Sequence, residues 1–156
     1  MAQALSIATL LTVAGIVATS ISGFRATPGP STATHILLAL ATVSVGLFAQ
    51  SMTMFFFIGT GKQIKTKVKG IPEESGVVAE TRRFKNEVFP AAMWAIGALM
   101  VTFILGGGVH TGSLPIWLHQ LTSLVTLLLV CRAWWIEIRA MASNQVLMER
   151  FLREES

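Results

Sequence analysis

The sequence predicts an all-α integral membrane protein: an antiparallel bundle of four transmembrane helices with a cytoplasmic C-terminal helical extension. Three observations carry this. The 156-residue chain is 53% hydrophobic and only 13% charged, with mean hydropathy +0.65, whereas soluble domains carry about 25% charged residues. Four apolar runs follow one another at about 5–21, 35–60, 88–109 and 114–135, and a helix needs roughly 20 apolar residues to cross a bilayer. Basic residues gather beside these runs rather than over a soluble surface, which sets the reading apart from a nucleic-acid binder.

The first run, rich in Ala, Thr, Ser and Gly, offers Ala14, Gly15 and Ala18 as a low-profile face for helix contact. It lacks the basic start of a signal peptide and is longer than a usual signal core, so it reads as a retained span. SGFRATPGPST then breaks the helix with Gly23, Pro28, Gly29 and Pro30, and Ser31 or Thr32 can cap the next one. That second helix opens on His35 and closes on GKQIKTKVKG, whose Lys62, Lys65, Lys67 and Lys69 mark the cytoplasmic side.

Residues 61–86 read as a polar cytoplasmic loop, interrupted by Pro72 and Gly76, with Arg82, Arg83 and Lys85 adding to its positive charge. The third span is expected to begin near Val88, with Pro90 in its first turn, where its missing N–H costs nothing. Ala91, Ala95 and Ala98 repeat at helical spacing, and Gly106, Gly107 and Gly108 are expected to fray its end. The fourth span starts near Pro115 and carries Trp117 at one boundary and Trp134 and Trp135 at the other. Arg132 and Glu137 read as side chains snorkelling to the interface. Residues 137–156 form an amphipathic tail able to lie on the membrane or on another subunit. Both termini then face the cytoplasm of a bacterial inner membrane, with every Lys and Arg except Arg25 on that side. The whole chain, 1–156, is one domain, and no internal repeat stands out.

Function is carried by few residues. Cys131 is the only cysteine, which excludes disulfide frameworks and thiolate clusters, and there is neither tyrosine nor aspartate. No catalytic motif is visible. All three histidines, His35, His110 and His119, fall toward the outer side. His35 shares a helix face with Ala39, Thr42 and Gly46, and His119 with Thr122, Ser123 and Thr126. Two such faces can hold a haem b with His35 and His119 as axial ligands, Gly46 leaving room for the ring beside Thr42 and Ser123. A copper or zinc ion on His35, His110 and His119 is a second option, and a quinone bonded by His and Gln120 a third. Against these stands simple packing, since interfacial His and Ser/Thr stripes also serve helix contacts.

The favoured expectation is a small non-catalytic subunit of a larger membrane complex, of the electron-transport class. Its partners are the lipid bilayer and other membrane subunits, not nucleic acid. The alternatives are a haem b electron-transfer or quinone-interacting cytochrome, and a small transporter or metal-binding membrane protein.

Overall fold

The computed structural model describes residues 1–25 and 30–152, and every regular element in them is helical. α1 spans Ala2–Phe24, α2 Pro30–Lys67, α3 Glu74–His110 and α4 Ile116–Leu152. All four are long and apolar enough to cross a membrane. At 1.5 Å rise per residue, α2, α3 and α4 reach about 55 Å, well beyond the roughly 30 Å of a hydrocarbon core. The surplus of α2 and α3 lies at the end that carries Lys62–Lys67, Arg82, Arg83 and Lys85.

Helix boundaries depart from the expectation at that end. Only residues 68–73 are non-helical between α2 and α3, so most of the supposed 61–86 loop is helix. The reason is amphipathic spacing: Ile64 and Val68, then Val77, Thr81, Phe84 and Val88, recur every three or four residues and all are buried. Gly76 is tolerated in the first turn of α3, and the break is supplied by Gly70 at φ +86°, a left-handed conformation suited to glycine. Its N–H donates to the Glu74 carboxylate at 2.8 Å.

Because α3 starts early, Pro90 sits inside it rather than in its first turn. Pro90 and Asn86, whose carbonyl loses a partner, are both on the exposed side, where the ring meets no neighbouring helix. The three glycines do not end α3 either; it continues to His110, and Gly112 at φ +72° makes the turn into α4. No separate tail forms among the described residues. Residues 137–152 continue α4, and Ala140, Met141 and Leu147 are buried with Leu5, Phe57, Ile64, Val77 and Phe84 in one cluster. The turn around Pro28 and Gly29 and the last residues, 153–156, lie outside the described residues.

Contacts join the end of one helix to the start of the next: Gly23 meets His35 and Gly15 meets Thr42, while Gly106 meets His119. Each helix also packs on its other neighbour in the order α1, α2, α3, α4 and back to α1. α2 and α4 approach across the middle, while the α1 and α3 backbones among the described residues stay more than 8 Å apart. A second cluster of Ile16, Ala91, Ala95, Leu99, Val130 and Ala133 fills the centre. The outside is the apolar surface, with Leu11, Leu37, Phe48, Phe55, Trp94, Ile104, Leu128 and Trp135 all exposed. An exposed apolar belt of that extent fits lipid rather than water.

Candidate functional site

The two histidines that the sequence singles out as a pair are brought together. Their ring centres are 6.3 Å apart with planes at 81°, and both side chains are half-buried at one end of the assembly. They come from α2 and α4, the two helices that meet across the middle.

Each ring is held from its own neighbouring helix in the same manner. His35 Nδ1 lies 3.1 Å from the Thr19 carbonyl on α1, and His119 Nδ1 lies 3.1 Å from the Thr102 carbonyl on α3. A carbonyl only accepts, so Nδ1 carries the proton in both rings and Nε2 keeps a free lone pair. Ser22 Oγ stands a further 3.0 Å from His35 Nδ1 while donating to Thr19 O. Close approach is possible because of glycine: a Cβ on Gly23 would stand 2.9 Å from His35 Cε1, and one on Gly106 3.0 Å from His119 Cε1.

One turn further in, Thr19 and Thr42 hydroxyls are 3.3 Å apart, and Thr102 and Thr126 hydroxyls 2.7 Å apart. The two halves therefore repeat one another. The Thr-to-His separation along the chain is 16 in the first half and 17 in the second, and the Thr-to-Thr separation 23 and 24. The helix pair α1–α2 and the pair α3–α4 are thus two copies of one device, facing each other through their histidines. This internal repeat is not legible as sequence similarity, because two of its parts are backbone carbonyls and two are glycines.

The remaining candidate residues take other positions. Ser123 bonds Ser20 at 3.0 Å, tying α4 to α1 just beneath the histidines. Thr42 faces α1, in contact with Gly15 and Thr19. Gly46 is deeper, and the space it leaves is taken by Thr12 Cγ2 and Leu99 Cδ1, which would stand 2.7 and 2.8 Å from a Cβ there. It lets α1, α2 and α3 converge. His110 is exposed at the end of α3, and among the described residues no three His, Cys, Asp or Glu side chains gather in a metal-binding group. Gln120 is half-buried beside His119.

Glu137, read from sequence as snorkelling, is instead fully buried, with Oε2 accepting from Thr9 Oγ1 at 3.1 Å. The missed signal is periodic: Glu137 is an integral number of turns, about five, from His119 and so shares its face.

No family model matches the chain, and neither the curated proteins nor the solved structures contain a match.

Proposed function

We propose that the protein is a membrane-bound electron-transfer protein holding one haem b between His35 and His119. The observation that carries the reading is the pair of opposed imidazoles, each with its Nδ1–H fixed on a backbone carbonyl. Ligating histidines characteristically donate their other ring N–H in this way, which fixes the tautomer and raises the basicity of the ligating nitrogen. With ring centres 6.3 Å apart, the two imidazoles are near enough that both would be able to hold one iron.

Held by His35 and His119, haem would supply one-electron chemistry at its iron. The chain's own residues orient the ligands through Thr19, Thr102 and Ser22, and keep them against α1 and α3 through Gly23 and Gly106. In this reading the chain is an antiparallel four-helix bundle in the inner membrane of a bacterium. Both termini and the 68–73 turn face the cytoplasm, and the histidines lie near the outer surface, where a quinone or a partner subunit can exchange electrons. The exposed apolar belt and the basic end of α2 and α3 support that placement. The two carbonyl contacts would satisfy the rings in a bare bundle as well; what favours the haem-bearing alternative over a cofactor-free subunit is that the two rings fixed in this way stand next to each other.

Titrating hemin into the detergent-solubilised chain tests this. One equivalent is expected to bind and give a low-spin, six-coordinate spectrum, and both His35→Ala and His119→Ala are expected to lose it. If either variant, still helical, gives the parental spectrum, the assignment fails.

A further inference from the structure

The same two faces that carry the histidines carry a second polar layer deeper in the assembly. Thr53 on α2 and Glu137 on α4 lie about five helical turns beyond His35 and His119, at matching positions of the two halves, and Gln50 and Trp134 lie about four turns beyond. Glu137 and Thr53 are 0% exposed and Gln50 1%. Thr9 on α1, also 0% exposed, joins the layer by donating to Glu137 Oε2 at 3.1 Å.

What marks the layer is how little of its polar capacity is used. Glu137 Oε1, Thr53 Oγ1, both polar atoms of the Gln50 side chain and Trp134 Nε1 are buried without a hydrogen-bond partner within 3.5 Å, the Gln50 amide lying just far enough from the Glu137 carboxyl to interact with it only weakly. Those five atoms are the only such side-chain atoms among the described residues. Buried polar atoms are ordinarily paired, and a group left unpaired calls for an explanation. An ionisable side chain inside a membrane helix assembly does so more strongly. Neither snorkelling nor a salt bridge serves here: Arg132 and Arg139, the nearest charges on α4, are exposed, and α3 presents Ala91, Ala92 and Ala95 to the core. Glu137 is the only fully buried ionisable side chain among the described residues.

We propose that Glu137, Gln50, Thr53 and Thr9 form a binding site for one monovalent cation, either a proton carried on the Glu137 carboxyl or a sodium ion held by the oxygens of the four side chains. The donor set fits that chemistry. A carboxylate, an amide carbonyl and two hydroxyls are the hard oxygen donors that alkali and alkaline-earth cations take, and the absence of nitrogen or sulfur acceptors disfavours transition metals. A single carboxylate matches a single positive charge. The Trp134 indole and the Gln50 amide supply N–H donors for the carboxylate or for a water that accompanies the ion. Beyond this layer Asn144 donates to Thr60 at 3.2 Å, a further polar contact toward the basic end.

The site does not depend on haem, and its test reads no haem signal. Infrared spectra of the purified full chain would be recorded from mildly acidic to mildly alkaline pH, in sodium-free buffer and with added sodium or choline chloride. The account expects a protonated-carboxyl band in sodium-free buffer that Glu137→Gln removes. It also expects Thr9→Val, which keeps the carboxyl but deletes its hydroxyl donor, to move that band to higher frequency; this assigns the band even if Glu137→Gln fails to fold. Loss of the band with sodium but not choline identifies sodium as the ligand, and indifference to both salts identifies the proton. An ionised carboxylate throughout the range with no response to sodium, or a band that neither variant affects, overturns the proposal.

Discussion

Gly46→Ala tests the packing on which both polar layers depend. A Cβ at this position would stand 2.7 Å from Thr12 Cγ2 and 2.8 Å from Leu99 Cδ1, whereas carbon atoms settle at about 3.5–4.0 Å. Roughly 1 Å must therefore be found on two sides at once. Leu99 Cδ1 is the end of a flexible chain and can rotate away. Thr12 cannot do so freely, because it is β-branched and its hydroxyl is bonded to the Ala8 carbonyl at 2.9 Å. Overpacking of this kind costs about 1–3 kcal/mol. The gain in helix propensity from Gly to Ala offsets about 1 kcal/mol of it, leaving a net loss of about 1 kcal/mol. Reversible unfolding in mixed micelles would measure it. Thr12→Ala added to Gly46→Ala should recover most of the loss, since it removes the rigid obstacle. A Gly46→Ala variant as stable as the parent would refute the close approach of α1, α2 and α3 at this level.

Further expectations follow from particular contacts. Ser22→Ala removes a hydroxyl 3.0 Å from His35 Nδ1 but leaves the Thr19 carbonyl in place, so hemin affinity measured by titration should fall by no more than about tenfold. Gly23→Ala pushes a methyl to 2.9 Å from the His35 ring; displacing a ligand in this way should weaken hemin binding by roughly 10- to 100-fold, in line with other disturbances of ligand orientation. Asn144→Ala deletes the bond to Thr60 and should lower unfolding stability by about 1 kcal/mol. Arg83→Ala breaks two long contacts with Glu80 and Glu87 at 3.8 and 3.7 Å on an exposed surface, and unfolding should show a change of less than about 0.5 kcal/mol.

Four helices and their apolar character were readable because each run of apolar residues is long and uncharged. In the 61–86 stretch the charges mask a helical spacing: Val77, Thr81, Phe84 and Val88 sit on one helical face among charged residues, and that face is buried. Pro90 stands inside α3 although proline favours a helix start; the clash of its ring with the Asn86 carbonyl is intrahelical and is not removed by exposure, so proline's preference alone misleads about where α3 begins. His35 and His119 were readable as a pair because charge-capable side chains in apolar runs are few. Their supports were not, since Thr19 and Thr102 act through backbone carbonyls, a property every residue shares. Glu137 lies near the cytoplasmic end of the apolar run, which suggests snorkelling to the interface, although its spacing from His119 puts it on the inner face.

The most direct measurement is the oxidised and dithionite-reduced absorption spectrum of the protein purified from its own membranes in mild detergent, with a pyridine haemochrome assay on the same sample. The account predicts a sharp reduced α band of a six-coordinate b-type haem at about one haem per chain, as bis-histidine ligation by one pair of imidazoles requires. A preparation without haem, which also fails to take up added hemin while its helices remain intact, would contradict it.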